Sequence, residues 1–254
     1  MLLALFWGAV AGGAVLIGAL LGIYVKAPAR LIGAVMAFGA GVLISAVAFG
    51  LTREAFDRGG VTSVTVGLAL GALAFFAGDW ILDHHGGHDR KRSGGQKGAS
   101  GKAGGQSGGQ SGGGMALALG ALLDGIPESA AIGITLLGGG SVGVAVVAAV
   151  FLSNVPEGWS SSAGMHKSGR STKYILLLWL GVTVASAVSS LLGYVVLGQT
   201  SDVVIGGVQA FAAGAIITML ADTMMPEAYE RGGPTTGLVT ALGFTLSFLL
   251  SQAG

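Results

Sequence analysis

The chain contains no cysteine, which excludes a disulfide framework and any thiolate metal site. Charge is also scarce: 10% of the 254 residues are charged, and the net charge is +1. A near-neutral chain lacks the basic surface that a nucleic-acid partner requires, so none is expected. Only 5 prolines occur, and any proline within an apolar run therefore demands an explanation. No nucleophile–base grouping, phosphate loop or dinucleotide-type glycine pattern is present, so nothing in the chain argues for an enzyme or a prosthetic group.

Apolar residues are abundant. They make up 52% of the chain, and mean hydropathy is +0.77, values that belong to polytopic membrane proteins. Runs long enough to cross a bilayer, about 20 residues each, are predicted at 2–24, 31–51, 61–82, 115–137, 142–164, 174–197, 203–225 and 235–252. The expected fold is therefore all-α, with eight transmembrane helices. The first run has no basic flank before it and reads as a retained helix, not a cleaved leader. Spans one to three fall in 1–83, spans four and five in 115–165, and spans six to eight in 166–254. Between the first two groups lies a His/Gly-rich loop, 84–114, whose Gly/Ser/Gln/Lys composition predicts a flexible tract.

Eleven basic residues fall in the odd-numbered loops, from Lys26 to Arg231, against Arg53 and Arg58 alone in the even ones. The positive-inside rule then puts the odd loops in the cytoplasm and both termini outside, in a plasma membrane. The motif Ala37-Phe38-Gly39-Ala40-Gly41 followed by Glu54-Ala55-Phe56-Asp57-Arg58-Gly59-Gly60 recurs at a constant offset of 173 as Ala210-Phe211-Ala212-Ala213-Gly214 and Glu227-Ala228-Tyr229-Glu230-Arg231-Gly232-Gly233. Span two runs outward and span seven inward, so the copies are inverted. A 3+2+3 inverted-repeat bundle of this kind places a transported ion near the midplane, at the repeat interface. The GxxxG pairs at Gly8–Gly12, Gly18–Gly22 and Gly67–Gly71 are expected to serve helix packing alone.

The chemistry concentrates in spans four and five. Asp124 and Glu128 share a helix face around Pro127, and Ser153, Asn154 and Glu157 are grouped around Pro156. Carboxylates inside a membrane cost about 2.5–3.5 kcal/mol each on insertion scales, so two neighbouring helices that each carry a Pro-Glu pair read as walls of an ion site. Each proline also frees the carbonyl four residues back, at Leu123 and Leu152. All these donors are oxygens, which suits a divalent cation. Carboxylates without histidine can equally cycle protons, which leaves a proton or monovalent-cation carrier open. A transport-inactive membrane sensor built on the histidine loop is a second alternative.

Several polar residues outside these two motifs carry weaker signals. His84, His85 and His88 offer a cytoplasmic capture site, with His84 and His88 on one face if the helix continues. Asp79 and Asp83 are expected to be solvated at the end of span three. Asp222 lines an exit path or bonds within the bundle, and Glu54 and Glu227 mark the two mouths. Met219, Met224 and Met225 are read as packing residues.

In its order of spans, its outside termini, its His-bearing third loop and its two successive Pro-Glu helices, the chain resembles the ZIP (Zrt/Irt-like) family of divalent metal transporters. The resemblance implies a mid-membrane metal site, zinc as the first substrate with manganese, iron, cobalt or cadmium as others, uptake into the cytoplasm, and a homodimer. Glu128 and Glu157 match the family's motif glutamates. Both motif histidines are replaced, by Asp124 and Ser153, while Gly125 stands at the motif asparagine and Asn154 follows the second histidine position. A sixth-span glutamate found in some members is absent near Ser186, and Asp222 matches an acidic position before Pro226-Glu227-Ala228. Loss of both imidazoles hardens the site and favours one metal ion over two.

Overall fold

The structure, a computed structural model, describes residues 1–82, 84, 112–138 and 143–253. Among the described residues every regular element is helical and none is a strand. In chain order they are α1 (Leu2–Tyr24), α2 (Ala29–Ser45), α3 (Thr52–Leu82), α4 (Gly112–Thr135), α5 (Val144–Lys167), α6 (Thr172–Leu197), α7 (Asp202–Met219), α8 (Met225–Gly232) and α9 (Thr236–Ala253).

Two of the helical stretches are longer than the spans predicted. From Ala29 the chain stays helical through a π-helical turn, Ala46–Leu51, into α3. From Asp202 it does the same through a second π turn, Leu220–Met224, into α8. The helical residues at 52–59 and 225–232 correct the expectation of plain loops there. Arg58 pairs with Glu54 and Arg231 with Glu227, each four residues apart, which favours helix over loop. Each stretch reverses at a glycine in the left-handed region, Gly60 (φ 68°) and Gly233 (φ 72°), where a side chain would be strained. These breaks, the π turns and the two Glu–Arg pairs recur near the 173-residue offset of the sequence repeat.

Contacts fix the directions of the helices. Phe38 lies against Gly243 and Val42 against Ser247, so α2 and α9 run parallel. Gly59 meets Gly206 and Gly71 meets Phe211, so α3 runs parallel to α7. The same reading makes α1 parallel to α5 (Ala11 to Asn154, Gly22 to Ala163) and α4 parallel to α6 (Gly125 to Ser186, Leu137 to Gly198). Across the middle, Gly8 meets Ser190 and Gly12 meets Ser186, an antiparallel contact between α1 and α6. The GxxxG pairs all serve helix packing, as expected.

Large apolar side chains cover the exterior, and several polar ones lie inside. Leu70, Leu73 and Phe76 on α3 and Leu177, Val184 and Leu192 on α6 are exposed, while Ser153, Ser162, Ser186, Ser190, Gln209 and Glu128 are buried. Large apolar side chains outside and small or polar ones between helices is the arrangement of a bundle solvated by lipid. Four stretches, Leu2–Tyr24, Ala29–Leu82, Thr172–Leu197 and Asp202–Ser251, are long and apolar enough to cross a membrane. Two of them, of 54 and 50 residues, fold back at Gly60 and Gly233 and each contribute two passes by length. The chain is a membrane protein.

Candidate metal site between the two proline-containing helices

α4 and α5 remain helical through Pro127 and Pro156. Between them, α2 and the π turn that follows α7, lies a cavity of about 70 Å³. Asp124 and Glu128 line it from α4, and Ser153, Glu157 and Ser161 from α5. Met36 contributes from α2, and Met219, Thr223, Met224 and Glu227 from the end of α7 and the start of α8. The paired carboxylates of the two Pro-Glu motifs thus face one space. Glu128 is buried, and its Oε2 has no hydrogen-bond partner among the described residues. A buried carboxyl oxygen left unmatched costs stability.

Other predicted residues lie elsewhere. Asn154 is buried and donates from Nδ2 to the Ala11 carbonyl at 3.0 Å. It ties α5 to α1 and does not line the cavity. Ser153 does line it while donating to Val150 O at 2.9 Å, which leaves its lone pairs available. The Leu152 carbonyl freed by Pro156 lies against Gly39 of α2. Asp222 is exposed and lies outside the cavity. Asp79 is 3% exposed, which corrects the expectation of a solvated position: Gly78 packs on Leu123 at this level, so α4 covers α3 there. His84 lies with its ring centroid 4.1 Å from that of Trp80, and its Nδ1 is 2.8 Å from Trp80 O. His85, His88 and Asp83 lie outside the described residues.

Among the described residues no three histidine, aspartate or glutamate side chains stand close enough to hold one ion directly. At roughly 30 Å³ per water, the cavity accommodates a cation with part of its hydration shell, and the carboxylates bear on it from the walls.

Glu227 reaches the cavity unforeseen as part of the lining, although its sequence signal was present in the repeat. Its Oε1 accepts from Ser160 Oγ at 2.7 Å and from Arg231 Nε at 3.1 Å, and Arg231 Nη2 donates to Ser160 Oγ at 2.6 Å. The Arg231 and Glu227 side chains are only 14% and 17% exposed. This pair is worth more than Arg53–Asp57, whose partners are 73% and 57% exposed. Arg231→Ala is expected to destabilise the protein by about 1–3 kcal/mol, because it removes the charge partner of a mostly buried carboxylate. Adding Glu227→Gln should restore most of that loss in thermal melts, whereas equal losses for the single and double variants would show that the pair is uncoupled.

No family model matches the chain. It is similar along nearly its whole length to the zinc transporter ZupT of Escherichia coli. The ZupT of strain O7:K1 is 28% identical over 255 residues, covering 96% of this chain and 95% of the relative. That of strain K12 is likewise 28% identical with the same coverage. Both relatives carry the name of a transporter, and the likeness spans the Pro-Glu helices that line the cavity.

Proposed function

We propose that this chain is a ZIP-type carrier that moves a divalent metal ion, zinc first, into the cytoplasm through the cavity between α4 and α5. The observation that carries this reading is the convergence of both Pro-Glu motifs on one enclosed, carboxylate-lined space inside a lipid-solvated bundle. Near end-to-end similarity to zinc transporters supports the same substrate class. In this reading the two fold-backs at Gly60 and Gly233, together with α1, α4, α5 and α6, make eight crossings arranged 3+2+3 with both termini outside. In that orientation the cavity runs from the middle of the membrane toward the cytoplasmic ends of α4, α5 and α8. Glu128 and Glu157 are the central ligands, assisted by Asp124 and Ser153. Glu227 stands where the ion leaves, and Asn154 holds α5 in place.

Oxygen donors dominate, but Met36, Met219 and Met224 add three thioethers to the lining. Thioethers favour softer ions, whereas the carboxylates alone favour hard ones. Purified protein in vesicles, offered Zn²⁺, Mn²⁺, Fe²⁺, Co²⁺ and Cd²⁺ in competition, is expected to carry Zn²⁺ and Cd²⁺ ahead of Mn²⁺. Flux of protons or Na⁺ with none of the five metals carried would overturn the proposal.

A further inference from the structure

The lysines and arginines of the described residues divide by place. Arg53, Arg58 and Arg231 each pair with a carboxylate four residues away on the same helix. Lys26, Arg30, Lys167, Arg170 and Lys173 have no carboxylate partner among the described residues. They stand where α1 ends, α2 begins, α5 ends and α6 begins, and α1, α2 and α6 carry no acidic residue. The positive-inside rule asks only for cations on this side of the membrane. Helix energetics would put them at C-terminal ends, as with Lys167. Arg30 and Lys173 are instead the second residues of α2 and α6, in first turns without an acidic residue, where the helix dipole repels a cation. An anion seated beside them meets both the side-chain charge and the dipole favourably.

Packing brings the ends of α1, α5 and α6 together. Ile23, Met165 and Tyr174 share one apolar cluster, and a methyl group on Gly22 would lie 2.8 Å from Ala163 N. Trp179 Nε1 donates to Ser162 Oγ at 2.7 Å, which ties α6 to α5. Gly169 (φ 84°) turns the chain between them, and the Arg170 amide donates to Met165 O at 3.1 Å. The Arg170 guanidinium stands 5.3 Å from the centroid of the Tyr174 ring, a cation–π contact that restrains it. Tyr24, 70% exposed, adds a second aromatic of the kind found at headgroup level. Toward the middle of the membrane, Ile17 and Leu20 on α1 and Leu177 and Leu180 on α6 are exposed. A soluble anion gains nothing from that apolar surface, whereas acyl chains do.

We infer that the joined ends of α1, α5 and α6 bind the phosphate of an anionic phospholipid, with Lys26, Arg170 and Lys173 around the headgroup and the acyl chains along the exposed stripes of α1 and α6. Basic pockets between membrane helices recognise phospholipid headgroups in this way. Arg30 and Lys167 flank the site and add to its field. A lipid held there fastens α1 and α5 at one end. Because Asn154 ties α5 to α1, the bound lipid steadies the helix that carries Glu157.

Native mass spectrometry of the purified full chain tests this, with phosphatidylglycerol and phosphatidylcholine of identical acyl chains offered in equal amounts. Phosphatidylglycerol is expected to be retained in preference. Lys26→Gln/Arg170→Gln/Lys173→Gln should weaken its binding by on the order of 100-fold, about 5-fold for each cation. Arg53→Gln, in the exposed ion pair at the start of α3, should leave binding unchanged. Lys26→Arg/Lys173→Arg keeps the charge and should keep the lipid. If the triple variant fails to fold, Lys173→Gln alone decides, with a loss of about 5-fold. Equal retention of the two lipids, or equal phosphatidylglycerol binding by the wild type and the neutralised variants, overturns the inference and leaves the carrier reading intact. Binding of glycerol phosphate as tight as that of phosphatidylglycerol also overturns it, since the ligand is then a soluble anion.

Discussion

Glu128→Gln is expected to reduce divalent metal uptake by at least about 100-fold, beyond the range seen when only a supporting residue of a metal site is lost, and to make the protein more stable. The two effects have one cause. Glu128 is buried, its Oε2 is unmatched, and Asp124 stands one helical turn away on the same wall of the cavity. Neutralising it relieves the desolvation of a carboxyl group and the crowding of like charges, worth about 1–3 kcal/mol. That corresponds to a rise of roughly 2–4 °C in melting temperature per kcal/mol for a chain of this size. Uptake of ⁶⁵Zn into vesicles and a thermal melt of the same preparation read both quantities. Asp57→Asn, on the exposed end of α3, should change neither. A Glu128→Gln protein that transports normally would remove the central ligand from the proposal, and one that is dead but less stable would make Glu128 a structural residue.

The second large effect is expected at Gly41. A methyl group there would overlap the carbonyl oxygen of Thr240, and a clash of side chain against a neighbouring backbone cannot be relieved by a rotamer change. Gly41→Ala should therefore cost about 3 kcal/mol, which lowers the melting temperature in detergent by on the order of 10 °C. Gly181→Ala is the contrast, since a methyl group at Gly181 meets nothing within 4 Å. It should leave stability unchanged or raise it by about 0.5–1 kcal/mol, through the helix preference of alanine over glycine. Equal melts for the two variants would show that α2 and α9 do not approach as closely as described.

Much of the architecture was legible because its signals are local or strictly repeated. Apolar run length located the described helices to within a few residues at most ends. The 173-residue offset pairs Gly60 with Gly233, both of which follow a Glu-x-x-x-Arg turn and have a positive φ in the structure. The helical extensions at 52–59 and 225–232 were missed because polar residues there broke the apolar run used to set the span ends. Side-chain direction was the weak point of the site. Asn154 is one residue from Ser153, about 100° around the helix, and that step turns it from the cavity toward Ala11. Asp222 lies within the π turn Leu220–Met224, where side chains do not follow the regular α-helical step that a sequence reading assumes. Glu227 was visible in the repeat, but nothing local distinguishes a carboxylate that lines a cavity from one at a mouth, and only the packing of α8 against α2 and α5 does.

The helices of one repeat copy find their parallel partners in the other: α2 lies with α9, and α3 with α7. Ser247 Oγ donates to the Val42 carbonyl across a separation of 205 residues. Neither half can therefore complete its packing while the ribosome is still making the second. α2 must wait in the bilayer with its small-residue face uncovered until the last helix is inserted. Long-range closure of this kind slows assembly and lengthens exposure to wrong partners. Loss of the final helix, a small deletion by length, strands a helix made near the beginning of synthesis.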